Sequence, residues 1–381
     1  MIHRNHNNMM EFQQTRPVLL RYLDCHCDEL PEDREIPQGK TALIIRWGAI
    51  GDMIFVSPLP RLLKEQGYYV VVNTQRQGLE VLQHNPYIDE FWFQEKGTIA
   101  NEKFAEFFEK IGQGFDKVIN LSQSIEREIL QLPNDEGFKR VDDLTVNYID
   151  HTIAKAGLEV TGLNGELYFT EEEEQAAQDF LAEFKDKFVV LVVLLGSSIH
   201  KAYPWWSFVF NDLTLYRDIP ELITITTGDN WARLLDWEHK QNIQGAASLP
   251  IRKSLLLCKY VNLVIGPETG VVNGAGCFDT PKICLMTHSC AGNLTKYWKN
   301  DYSIQSPAEC SPCHNMVYSR EQCELDPHTT TSKCISQIKP DMVEKRIKEV
   351  YKEWKRAKFK AIITPSQYHE ERKSCQPLVI L

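Results

Sequence analysis

Between Thr41 and Thr287 the chain alternates short β-branched runs with amphipathic helical stretches, and it does so twice. No other feature constrains the fold as strongly. Strands joined in series by helices pair in parallel, and a parallel sheet has to be covered on both faces. In the first half, residues 41–47 read as a strand, 53–66 as a helix, 68–73 as a strand and 79–84 as a helix. A strand near Phe91, a helix over 102–111 and a strand over 115–121 complete that unit. Residues 133–174, with Gly157, Gly162 and Gly165, suit a linker between halves. The alternation then restarts with strands over 188–195, 222–227, 262–265 and 282–287, and helices over 204–217, 231–239, 251–260 and 270–277. Two doubly wound parallel-sheet α/β units in tandem are the expected fold.

Size and charge narrow the function classes. At 381 residues the chain is large enough for two domains with a cleft between them. Its longest apolar run, 188–195, has eight residues, against the roughly 20 that a membrane-crossing helix needs. The first ten residues have neither the basic start nor the apolar core of a secretory signal, so a cytoplasmic location is expected. A net charge of -10 opposes nucleic acid as a partner, because phosphate neutralisation supplies most of that affinity. Residues 339–360 are the exception, with nine Lys/Arg against four Asp/Glu; they read as a solvated helix face or as a peripheral contact with an anionic membrane surface. Residues 1–39 carry no sustained period beyond a short helix near 18–23, and 361–381 read as a tail.

Three loops follow strands and carry residues suited to chemistry. Gly48-Ala-Ile-Gly51-Asp52 joins the first strand to its helix, and its two glycines let the backbone turn tightly and approach a ligand. It lacks the spacing of a dinucleotide fingerprint and the lysine of a phosphate loop. Asp52 is either a functional carboxylate or an N-terminal helix cap. Ser197, Ser198 and Lys201 follow the apolar strand of the second unit, where a lysine and two hydroxyls can answer a diphosphate or simply be solvated. In the third loop, Glu268, Thr269 and Gly270 lead into a glycine-rich helix start with Asn273, whose free N–H groups favour an anion. Two anion-friendly loops in one unit suggest a nucleotide diphosphate.

These residues resemble glycosyltransferase family 9, the ADP-heptose:lipopolysaccharide heptosyltransferases, over about residues 41–350. The resemblance is carried by Leu43-Ile-Ile-Arg-Trp-Gly-Ala-Ile-Gly-Asp52 with Pro58, by Asn85-Pro-Tyr-Ile-Asp-Glu90, and by Lys201 with Pro204-Trp205. Glu268-Thr-Gly270 and the late cysteines before Ile338-Lys-Pro340 extend it. It implies a GT-B fold of two Rossmann-like domains facing a cleft. Residues 40–165 would be the acceptor domain and 166–338 the donor domain, with a last helix, 339–360, crossing back. It implies inverting transfer of a heptose-like sugar from a nucleotide diphosphate sugar to a hydroxyl of a lipopolysaccharide core or other surface glycan, without a catalytic cofactor. Asp52 would be the general base and Lys201 the catalytic contact to the phosphates. Gly51, Ser197, Ser198, Asp229, Glu268, Thr269, Gly270 and Asn273 would line the donor. The chain departs from the family where Glu268 replaces an aspartate, Asn273 replaces a histidine, and Asp229, Asn230 and Ala232 stand where a ribose-binding glutamate is frequent. Another acceptor, such as a DNA base or a protein side chain, and a catalytically silent sugar-nucleotide-binding scaffold are the alternatives.

Cys310, Cys313, Cys323 and Cys334 form the remaining cluster. Four thiolates with a tight first pair can hold a structural zinc, and the alternative is reduced thiols or a redox pair. His314 and His328 read as surface side chains or spare ligands. Cys258, Cys277 and Cys284 fall in helix and strand periods as core residues, and Trp205, Trp206 and Trp231 read as packing or as a stack for a base.

Overall fold

A computed structural model describes residues 18–22, 36–133, 139–215, 218–227, 243–244 and 249–363. The first sheet comprises β1 (Leu19–Tyr22), β2 (Thr41–Ile45), β3 (Tyr69–Thr74), β4 (Glu90–Phe93) and β5 (Lys117–Asn120), in the order β1-β4-β3-β2-β5. The second comprises β6 (Phe188–Val193), β7 (Leu222–Thr227), β8 (Ile243–Gln244), β9 (Leu263–Pro267), β10 (Lys282–Met286) and β11 (Ile304–Gln305), in the order β11-β10-β9-β6-β7-β8. Every strand pairing is parallel, so the expected pair of doubly wound sheets is present. The helices in chain order are α1 (Ile50–Val56), α2 (Leu59–Glu65), α3 (Arg76–Leu82), α4 (Phe104–Gly112), α5 (Ser124–Glu128) and α6 (Tyr148–Lys155). After these come α7 (Glu171–Ala182), α8 (Trp206–Leu215), α9 (Ile251–Tyr260), α10 (Gly270–Ala275), α11 (Lys333–Ser336) and α12 (Pro340–Ile363).

β6 shows why an unbroken apolar run belongs in the middle of such a sheet. Phe188, Val190 and Val192 point to one face and pack with α8 and α12 through Val209, Leu213, Val343 and Ile347. Val189, Leu191 and Val193 point to the other and join a core that continues through Leu255, Val271 and Val272 into Ile54 and Phe55 of α1. The two sheets therefore share one apolar core on their facing sides.

The seam of that core is α1 against α10, and it needs glycine. A Cβ on Gly270 would lie 2.5 Å from Ile50 Cβ and 3.0 Å from the Gly51 nitrogen, and one on Gly51 would lie 2.9 Å from Asn273 Nδ2. Flanking polar contacts hold the seam. Arg252 of α9 pairs with Glu173 and donates to Tyr168 O (2.6 Å) and Glu80 O (3.3 Å). On the other flank, Asn293 Nδ2 donates to Leu144 O (2.7 Å) and Val146 O (3.0 Å), and the Tyr148 hydroxyl meets Ser289 Oγ at 2.8 Å.

The structure corrects the sequence reading in four places. The helix read over 53–66 is two, because Pro58 and Pro60 interrupt it; α2 starts on Pro58 as its N-cap with Pro60 in its first turn. The helix read near 18–23 is strand β1, recruited by the open edge of β4, where Arg21 Nε meets Glu90 Oε1 at 2.8 Å. The segment read as a linker contains α6, with Tyr148 to Ile153 all buried, and α6 packs on α1. Finally, α12 commits its buried face to the second sheet, through Val343, Ile347, Val350 and Tyr351, where a return to the first was expected. Its basic side chains Lys348, Lys355 and Lys358 reach Asp218, Glu221 and Asp186 of the same unit. Among the described residues no helix is long and apolar enough to cross a membrane. Trp205 and Trp206 are packing residues whose indole N–H groups donate to Ser336 O and Leu194 O, both at 2.8 Å; Trp231 lies outside the described residues.

Gly270→Ala is expected to cost about 1–3 kcal/mol, the usual range for overpacking a tight contact. Urea denaturation should show a lower midpoint with an unchanged slope, and an unchanged midpoint would mean that the seam yields freely.

Candidate active site

The loops that follow β2, β6, β9 and β10 meet at the seam, on the carboxyl ends of both sheets, where open α/β sheets take ligands. On the first sheet, β2 is followed directly by Arg46, a 1% exposed guanidinium. Its Nη1 donates to Leu121 O at 2.5 Å, and its Nη2 contacts Asp52 Oδ1 and Glu126 Oε1, both at 2.9 Å. Burial opposes the charge on Arg46, but the two carboxylates outweigh it and raise its pKa. Glu126 is raised above the usual carboxylate range by its own burial and then by Asp52, with Arg46 pulling the other way. Asp52 Oδ2 also accepts the Ala49 N–H at 2.7 Å, so Asp52 serves in the capping box of α1. Gly48 makes this possible: a Cβ there would lie 2.8 Å from both Asp52 Cβ and Oδ2 and 3.1 Å from Arg46 Nε. Tyr318, arriving from the cysteine-bearing loop, has its phenol raised by burial and then by Glu126 and Asp52.

On the second sheet, Lys201 closes a 3-10 turn, Ile199–Lys201, after β6. Gly196 makes room for its stem, since a Cβ there would meet Lys201 Cβ at 2.8 Å and Thr269 Cγ2 at 3.1 Å. Burial lowers the pKa of its ammonium, while Glu268 and Asp52 pull it back up, so Lys201 feels carboxylates from both sheets. Glu268 is 3% exposed and seated in a cradle of backbone N–H groups. Its Oε1 accepts from Thr287 N (2.5 Å), His288 N (3.0 Å) and Ser289 N (3.3 Å), and its Oε2 lies 3.0 Å from His288 Nδ1. Burial alone would raise its carboxyl, but His288, Lys201 and these N–H groups hold it well below the usual range.

The expected site residues thus fall into distinct environments. Asp52 and Lys201 lie close enough for the Asp52 charge to act on the Lys201 ammonium. Thr269 caps α10 by accepting the Val272 N–H at 3.4 Å, and Gly270 lies against Gly51. Ser197 is exposed in the same loop as Lys201, and Ser198 Oγ is 3.3 Å from His200 Nε2. Glu268 already has both oxygens engaged within the protein. Asn273 is buried at the seam with Oδ1 unpartnered, and Asp229 lies outside the described residues. The sequence reading missed Arg46, Glu126, His200, His288 and Tyr318. Arg46 had a signal, a lone charge ending an apolar strand; Glu126 and Tyr318 had none, being brought in from far along the chain.

The late cysteines lie close enough to perturb one another: Cys334 lowers the Cys323 thiol, while Cys323, burial, Cys310 and Cys313 raise that of Cys334. Among the described residues no group of three or more His, Cys, Asp or Glu side chains converges as a metal site. His314 is 7% exposed, a correction to its reading as a surface residue, while His328 is exposed. Cys258 and Cys284 are buried in the core as expected.

No family model matches the sequence, and no curated protein matches it either. The fold does match solved structures. A glycosyl transferase family 9 protein from Veillonella parvula aligns with a TM-score of 0.62 at 16% identity, covering 82% of this chain and 98% of that one. E. coli ADP-heptose lps heptosyltransferase II aligns with a TM-score of 0.57 at 13% identity, covering 83% and 99%. The iron-containing dodecameric glycosyltransferase TibC of enterotoxigenic E. coli aligns with a TM-score of 0.53 at 11% identity, covering 82% and 78%. The chain shares their GT-B fold.

The buried histidine beside Lys201 predicts acid lability. Burial, then His288, lowers the His200 pKa to about 2, against an ordinary 6.5, so below 6.5 the unfolded chain binds the proton that the folded one refuses. Glu268 acts in the same direction as pH falls through 4.5. Stability in urea is expected to fall by about 2 kcal/mol from His200 alone between about pH 6.5 and pH 5. His200→Asn should shrink that loss, and an equal loss in the variant would assign it elsewhere.

Proposed function

We propose that this chain is an inverting glycosyltransferase that takes a heptose-like sugar from a nucleotide diphosphate donor and places it on a hydroxyl of a lipopolysaccharide core or similar surface glycan. The observation that carries the reading is the placement of Asp52, after the first sheet's β2, near enough to act electrostatically on Lys201, after the second sheet's β6. The fold shared with glycosyltransferase structures supports it.

In this reading the acceptor hydroxyl oxygen attacks the anomeric carbon from the face opposite the nucleotide. The bond from that carbon to the diphosphate oxygen breaks, its electron pair leaves with the diphosphate, and the hydroxyl proton passes to Asp52. Arg46 and the Ala49 N–H hold the carboxylate still, which orients the acceptor. The negative carboxylate also balances positive charge that develops on the sugar. Lys201 meets the departing diphosphate together with the N–H groups around Thr269 and Gly270, and this charge stabilisation is the larger contribution to rate. The reading asks no metal for that role. Glu268 serves at one remove: its carboxylate fixes the 287–289 turn and offsets part of the effect of burial on Lys201, while the donor itself is met by Lys201, Ser197 and Ser198.

ADP, UDP and GDP, each added in excess EDTA, provide the test. One of them should raise the melting temperature of the wild-type chain, with a stabilisation of about 2.7 kcal/mol at a hundredfold excess over Kd. Lys201→Ala should lose that shift. Asp52→Asn should keep it while sugar transfer falls by about 10²–10⁴-fold, the usual worth of a positioned general base. No shift with any of the three nucleotides would overturn the reading, and full transfer by Asp52→Asn would remove that residue from it.

A further inference from the structure

Ser198 stands at the start of the 199–201 turn, where a serine side chain ordinarily caps the following backbone N–H groups. Here it makes no such cap. Its Oγ lies instead 3.3 Å from His200 Nε2. The His200 ring is itself clamped: it is buried, it packs edge to face on the His288 ring at 4.6 Å, and His288 Nδ1 is 3.0 Å from Glu268 Oε2. The His200 carbonyl accepts from Thr287 Oγ1 at 3.2 Å, and α11 packs on the turn. The bridge between Leu195 and Ala202 and the Gly196 N–H donating to Lys201 O at 2.9 Å close the loop around them. His200 Nδ1 is buried with no hydrogen-bond partner among the described residues. Burial, then His288 and Lys201, keeps the ring uncharged at neutral pH, so it carries one N–H and one bare nitrogen. A proton on Nδ1 would bury a donor with nothing to bond, whereas a proton on Nε2 meets Ser198 Oγ and leaves only a lone pair unmet. Buried N–H groups without an acceptor are rarer than acceptors without a donor, so Nε2–H is the assigned tautomer. The Ser198 oxygen then accepts, and its own hydrogen is left to donate elsewhere.

We propose that His200 is a positioning residue for a nucleotide diphosphate: by holding the Ser198 oxygen, it turns the Ser198 O–H toward a diphosphate oxygen beside Lys201. This rests on the reading of the loop as the donor site. The ring itself makes no contact with the ligand in this arrangement, and Glu268 and His288 act one step further back, as the wall that keeps the ring from turning. A hydrogen bond from a hydroxyl to a charged oxygen is worth more than one between neutral groups, and it is lost if the hydroxyl turns round to donate to a bare imidazole nitrogen. Lys201 supplies charge at this loop; Ser198, so oriented, supplies direction. The two serines ahead of the lysine are therefore not equivalent, since Ser197 is exposed and Ser198 is half-buried beside the imidazole.

The test is calorimetric binding of ADP, UDP and GDP by the full-length chain at neutral pH in excess EDTA, and it needs neither sugar nor acceptor. For the nucleotide that the wild type binds, Ser198→Ala should raise Kd by about 10–100-fold, the usual worth of a hydrogen bond to a charged group. His200→Asn should raise it to the same degree, and the double variant should bind no more weakly than either alone, because both changes remove one hydrogen bond. His200→Gln should bind like the wild type: the glutamine amide nitrogen lies as many bonds from Cβ as Nε2 does, whereas that of asparagine matches Nδ1. A merely structural histidine would make the two substitutions equivalent and its loss additive to that of Ser198. A wild-type Kd in Ser198→Ala, additive losses in the double variant, or equal weakening in His200→Gln and His200→Asn would each overturn the proposal while leaving nucleotide binding at Lys201 in place. A wild-type chain that binds none of the three nucleotides would overturn the donor reading and this inference together.

Discussion

The direct backbone approach of α1 and α10 at Gly51 and Gly270 is the constraint from which the rest of the arrangement follows. Two helix starts from separate sheets can approach this closely only where neither presents a side chain, and both positions are glycine. With the backbones in contact, the loops beside them converge. Asp52 follows Gly51 in the chain, Thr269 precedes Gly270, and Gly196 lets the Lys201 stem lie against Thr269. The apolar side chains beneath, Ile54 from one unit and Val271 and Val272 from the other, join in a common core. Chemistry above the seam and cohesion below it therefore depend on the same contact.

Charge is distributed around this point with a clear asymmetry. On the first sheet one guanidinium serves two carboxylates, so Asp52 is anchored and shares its counter-charge with Glu126. On the second sheet one carboxylate is held by backbone N–H groups and a histidine, which leaves the Lys201 ammonium in its field without a side-chain hydrogen bond or ion pair among the described residues. The first arrangement fixes an anion in position; the second keeps a cation available.

Much of this was legible in the sequence because it is written in local patterns. The β6 run, the glycine-rich turns after β2 and β9, and the helix over Ile251–Tyr260 depend on neighbours within a few residues, and period and composition reveal them. The misreadings have non-local causes. β1 is a strand because β4 offers an edge some seventy residues away; its own sequence did not announce it. Pro58 and Pro60 were visible, yet a single helix was read across them. For the site, Asp52 and Lys201 stood in loops whose position was predictable, whereas Glu126 reaches Arg46 across eighty residues. The commitment of Glu268 to the 287–289 turn likewise emerges only once β9 and β10 lie side by side.

β1 carries a consequence for how the leading segment of the chain should be regarded. Its composition suggests a dispensable appendage, yet Arg21 neutralises Glu90, a 2% exposed carboxylate that also accepts from the Trp92 indole at 2.9 Å. Without β1 that carboxylate would keep its indole donor but lose its counter-ion, and the backbone of β4 would offer unpaired donors and acceptors along its whole length. Such an edge is a template for other chains. β1 therefore takes the edge position of the sheet from β4, with a charged residue within its four residues.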